Sequence, residues 1–132
     1  MQRLAPSRTL AVAGVLAILF GVATLVEGGH VLFGGPAARA EAGHVVPFVL
    51  AFNFAAGFVY VAAGLATLAR RRAAVWIARA LAAATVLVFG ALGAHVLAGG
   101  AYEPRTVVAM TIRAAFWIAE ALALARWIGA AR

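Results

Sequence analysis

The side chains able to do chemistry in this chain are few, and two of them sit where an ion has no water. The acids are Glu27, Glu41, Glu103 and Glu120, the histidines are His30, His44 and His95, and all eleven basic residues are arginines. Arg113 and Glu120 interrupt the apolar run from Thr106 to Trp127. Read as a helix, Thr106, Met110, Arg113, Trp117, Glu120, Leu124 and Trp127 recur at steps of four and three and share one stripe. In lipid each charge on that stripe costs about 2.5–3.5 kcal/mol on insertion scales. The stripe must therefore face protein or trapped water, and other helices must bring polar groups to it.

Several chemistries are open to these residues. Glu27-x-x-His30 puts a carboxylate and an imidazole one turn apart, as in di-metal carboxylate bundles. Such sites need further carboxylates from neighbouring helices, and the second and third apolar runs supply none, so a Glu27–Arg113 ion pair is the simpler expectation. His30 and His95 could be the two axial ligands of a haem b, with Arg105 or Arg113 near its propionates. They could also hold a single transition metal, copper or zinc, with His44 or Glu27. The plainer alternative is that each histidine caps the helix end beside it. Glu120 with Tyr60 could form part of a proton path. One acid at mid-depth makes only a fragment of a transporter, which a homo-oligomer or larger membrane complex would have to complete. The alternative there is a neutral Glu120 hydrogen-bonded inside the bundle. With no cysteine, thiolate sites and disulfides are excluded. No phosphate-binding loop, nucleophile elbow or Ser/His/Asp ordering is present, so no catalytic residue is assigned and an enzyme is the less favoured class.

The elements that must position these groups follow from composition. Of 132 residues, 66% are hydrophobic and 11% charged, with a mean hydropathy of +1.03. A soluble domain of this length could not hide that much apolar surface. Four membrane spans of about 20 residues use nearly the whole chain as a single integral membrane domain. They run from about 9 to 33, 47 to 69, 74 to 97 and 106 to 127. The basic lead and apolar first run resemble a signal peptide, but the run is too long and has no convincing cleavage box, so a retained helix entered at Pro6-Ser7 is expected. Gly14, Gly21 and Gly28 fall seven apart and form a smooth strip for a close neighbour. Asn53, Gly57, Tyr60, Gly64 and Thr67 make a second small-and-polar seam. The other intramembrane glycines read as helix packing too. Residues 37–46 are expected to be the longest loop.

Arg3, Arg8, Arg70, Arg71, Arg72, Arg79, Arg126 and Arg132 gather at one side of these spans, with Arg39 and Arg105 at the other. By the positive-inside rule both termini are cytoplasmic, and the net charge of +7 acts in topology, with no nucleic-acid partner implied. His30-Val31-Leu32-Phe33-Gly34-Gly35 and His95-Val96-Leu97-Ala98-Gly99-Gly100 repeat one phrase half a chain apart. The repeat points to two hairpins related by a pseudo-two-fold axis along the membrane normal, although a recurring Gly-Gly helix stop would look the same. Counting a rise of ~1.5 Å per residue from the outer ends puts Glu27, His30 and His95 within roughly 10 Å, and Asn53 and Arg113 at about 10–12 Å. Tyr60, Thr85 and Glu120 come out near 20 Å. Glu27 and Asn53 are then the candidate partners of Arg113, and Tyr60 or Thr85 that of Glu120.

The stretches Phe48-Val49-Leu50-Ala51-Phe52-Asn53-Phe54-Ala55-Ala56-Gly57 and Gly100-Ala101-Tyr102-Glu103-Pro104-Arg105-Thr106, with four spans and short joints, resemble the small bacterial four-helix membrane proteins grouped as DoxX-like. The resemblance implies an accessory or redox-associated subunit of the bacterial plasma membrane and assigns no residue. The expectation is thus an all-α, four-span, up-down-up-down bundle in the lipid bilayer. Its outward polar pocket would be lined by Glu27, His30, Asn53, His95 and Arg113, with Tyr60 and Glu120 below. It would bind a small ligand without catalysis, or carry haem or metal on His30 and His95.

Overall fold

The computed structural model describes residues 7–128, and Arg3, Pro6 and Arg132 lie outside them. The chain forms α1 (Ser7–Phe33), α2 (Pro36–Ala42), α3 (Pro47–Leu68), α4 (Ala73–Leu97) and α5 (Pro104–Trp127), with no strand among the described residues. Helices α1, α3, α4 and α5 are long and apolar enough to cross a membrane. The protein is an all-helical, multi-pass membrane protein, and its four long helices match the four apolar runs of the sequence.

Helix boundaries follow local chemistry. α2, α3 and α5 each open on a proline, whose missing N–H would have had no helical acceptor there. α4 stops in a Schellman turn, where Gly99 N–H donates to the Val96 carbonyl (3.0 Å) and Gly100 N–H to that of His95 (2.9 Å). Gly99 supplies the positive φ, 86°, that this turn requires. α3 stops the same way through Arg70 and Arg71, with Arg70 itself left-handed at φ 54°.

Residues 37–42 of the expected loop 37–46 are instead helical, within α2. Pro36 starts the helix, the alanines of Pro-Ala-Ala-Arg-Ala-Glu-Ala favour it, and Gly43 at φ 76° ends it. Seven residues are too few for an apolar period to show.

Between helices in lipid there is no hydrophobic driving force, so close approach of backbones decides which pairs hold. The two glycine strips meet each other. A Cβ on Gly21 would lie 2.8 Å from the Gly57 carbonyl oxygen, and one on Gly64 would lie 2.6 Å from that of Gly14. α1 and α3 are consequently the most closely packed pair, α4 lies on α3 and α5, and α5 meets α1 only sparsely. Gly90 and Gly93 of α4 correct the expectation that every glycine serves packing, because both face open space. The two hairpins run in the same direction, but the second has neither the glycine contact nor an inserted helix.

The interior is filled by Trp117, Tyr60 and Leu124, all buried. Tyr60 lies 4.8 Å from Trp117 and 5.3 Å from Phe20 between ring centroids, and Phe116 stands edge-on to Phe20 at 5.0 Å. This aromatic layer closes the middle of the bundle. Above it, toward α2, the sparse α1–α5 contact leaves a gap.

Candidate functional site

A cavity of about 390 Å³ occupies that gap, between α1, α3 and α5 and against α2. Its floor is Arg113. The residue is 7% exposed, and its Nη1 donates to Thr24 Oγ1 at 2.9 Å and to the Tyr60 hydroxyl at 3.4 Å. The guanidinium carbon lies 5.1 Å from the centre of the Phe20 ring and 5.9 Å from that of Tyr60. Aromatic faces attract a cation, more so once it is desolvated. Its Nε is buried with no hydrogen-bond partner, and no carboxylate among the described residues lies within ion-pair distance of it. The guanidinium is thus held by two hydroxyls and two ring faces, with no ion-pair partner among the described residues.

The walls above the floor are apolar, from Val31, Val46, Val49 and Leu50. Asn53 joins them with its Oδ1 buried and unpartnered. At the rim stand Glu27 and His30 of α1 and Glu41 of α2, all exposed. The polar groups of the cavity are therefore ordered with depth, Arg113 alone at the base and the acids Glu27 and Glu41, with His30 and Arg105, toward the mouth.

Two side chains from the start of α5 pin α2 in place. Arg105 Nη2 donates to the carbonyls of Glu41 (3.0 Å) and Ala42 (2.5 Å), the free C-terminal acceptors of α2. Glu103 Oε2 accepts from the His44 backbone N–H at 2.9 Å and contacts the His44 ring nitrogen Nδ1 at 3.1 Å. The backbone N–H of His44, then its ring, hold the Glu103 carboxyl below its ordinary value of 4.5, with the positive charge of Arg105 assisting. Gly43 leaves the room this needs, since a Cβ there would lie 2.8 Å from Glu103 Oε2.

Of the residues expected to meet, the structure brings Glu27, His30, Asn53 and Arg113 to one cavity. It does not form the expected Glu27–Arg113 ion pair; Thr24, one turn deeper on α1, takes that place. Nor does Glu120 bond to Tyr60 or Thr85. Tyr60 binds Arg113 instead, while Glu120 Oε2 and Thr85 Oγ1 are buried without partners. The reason is directional. Helical side chains lean toward their helix's N-terminus, which for α3 is the cavity end, so the phenol of Tyr60 rises to Arg113 and away from Glu120. His95 is not at the cavity. Its Nε2 lies 2.8 Å from the Ala101 carbonyl and its ring 6.2 Å from that of Phe48, so it braces the α4–α5 turn while His30 lines the cavity. Among the described residues no three His, Cys, Asp or Glu side chains gather as a metal-ligand set.

Sequence reasoning missed Thr24 and Phe20. Their signal was the stripe Phe20, Thr24, Glu27, Val31 on α1, which presents a hydroxyl at the depth of Arg113. Comparison of the chain with protein-family models, with curated proteins and with solved structures finds no significant match.

Proposed function

We propose that this protein is a non-enzymatic binding protein of the bacterial plasma membrane that takes a small organic solute, carboxylate end first, into the cavity above Arg113. Both termini are cytoplasmic in this reading, because the arginines cluster at the end of the bundle away from α2, and the cavity opens to the extracytoplasmic side. The DoxX-like resemblance fits the architecture and contributes no residue to the site.

The observation that carries the proposal is the isolation of Arg113. A buried cation without an acid is costly, and such residues in membrane spans mark ligand or ion sites. A carboxylate can take two parallel N–H bonds from a guanidinium, and low local polarity strengthens them. The size of the cavity is at the small end of the range for small-molecule sites, and its apolar walls with a few convergent polar groups suit one compact ligand.

The test is thermal unfolding of purified protein in nanodiscs with short aliphatic carboxylates, amino acids and their neutral amides. Carboxylate-bearing compounds are expected to raise the wild-type midpoint, the amides to leave it unchanged, and Arg113→Gln to abolish the response. Equal responses from wild type and Arg113→Gln would remove the proposal.

A further inference from the structure

The depth-ordered polarity of the cavity says more about the ligand than a lone arginine does. Resting on the carboxylate reading above, we infer that the site selects a zwitterion, an α-amino acid with a small aliphatic side chain, over a simple carboxylate. Glu27 lies three residues above Thr24 on the same face of α1, about 4.5 Å nearer the mouth. Thr24 in turn holds Arg113. An α-amino acid carries its charges on adjoining carbons, a separation that one helical turn covers. With its carboxylate on Arg113, its ammonium faces Glu27.

Asn53 Oδ1 supports the same orientation. It is a buried acceptor without a donor, lining the same cavity as Arg113, and a carboxylate has no proton to give it whereas an ammonium has three. The charges also discriminate. A plain anion on Arg113 leaves Glu27 and Asn53 Oδ1 without a donor, and a plain amine meets Arg113 at the floor. Arg105 lines the same mouth and keeps its positive charge while it donates to the carbonyls that end α2, so the preference rests on Glu27 and Asn53 beside the ligand and not on the net charge of the rim. Val31, Val49 and Leu50 leave an apolar wall for the side chain.

Calorimetric titration of the full-length protein in nanodiscs with two matched sets tests this: alanine, propionate and ethylamine, then leucine, 4-methylpentanoate and 3-methylbutylamine. In at least one set the amino acid is expected to bind tenfold or more tightly than its carboxylate, with no binding of the amine. Glu27→Gln should reduce that preference to threefold or less. Asn53→Ala should weaken the amino acid more than the carboxylate, and it serves independently if the first variant does not assemble. Carboxylates that bind as tightly as their amino acids in both sets, with Arg113→Gln losing both, would overturn the zwitterion while leaving the carboxylate site standing. If neither set binds, or Arg113→Gln binds as wild type does, both inferences fall.

Discussion

At the scale of single residues, Arg113 separates stability from binding. Its hydrogen bonds go to the neutral oxygens of Thr24 and Tyr60, which do not return the full cost of burying a cation. Arg113→Met, of similar length and apolar, is expected to make the ligand-free protein more stable by about 2–3 kcal/mol while abolishing carboxylate binding. Unfolding in mixed micelles measures the first effect and calorimetry the second. A destabilised Arg113→Met protein would mean that the guanidinium is a structural tie. The residue was legible in the sequence because lipid makes any charge conspicuous. Thr24 was not, because a threonine in a membrane helix can satisfy its hydroxyl on its own backbone, as Thr67 does on the Ala63 carbonyl at 2.7 Å. Levels between Cα positions do not give the partner of Tyr60, because a phenol reaches another turn along its helix.

At the scale of helices, glycines of the same type have opposite consequences. Gly21→Val drives a side chain into the α3 backbone at Gly57, and a cost of about 1–3 kcal/mol, the range for overpacking, is expected. Gly90→Ala adds a methyl group where nothing is met and should be neutral or gain up to about 1 kcal/mol from helix propensity. The seven-residue spacing made the first strip readable, while nothing in Gly90 or Gly93 says which way α4 turns. Helix α2 was unreadable for want of length, yet its fastening makes a prediction about pH. The Glu103 carboxyl titrates below its ordinary 4.5 when folded, so the latch is complete above 4.5 and weakens as pH falls through the lower folded value. Hydrogen exchange at residues 39–45 should therefore accelerate on acidification below 4.5, beyond the intrinsic pH dependence. In Glu103→Gln that extra acceleration should be absent, with faster exchange already present at neutral pH.

For the molecule as a whole, the four spans could be read from hydropathy because each helix has to satisfy its own backbone in lipid. The cavity could not. It exists because α1 and α5 touch sparsely while α1 and α3 touch closely, a property of three helices together and of no stretch alone. Which side of the membrane it serves rests on the arginines. Arg70, Arg71, Arg72 and Arg79 lie at one end and Arg39 and Arg105 at the other, and translocating the richer end is disfavoured. The absence of cysteine makes this directly measurable, since single cysteines can be introduced into an otherwise unreactive chain. Ala40 on α2 and Ala73 at the start of α4 are both exposed and mark opposite ends of the bundle. In spheroplasts, Ala40→Cys is expected to react with a membrane-impermeant maleimide, and Ala73→Cys only after permeabilisation. The opposite pattern would turn the cavity toward the cytoplasm, where its ligand would be drawn from the cell's own amino-acid pool. The chemistry of Arg113 would be unchanged, but the direction of service would be reversed.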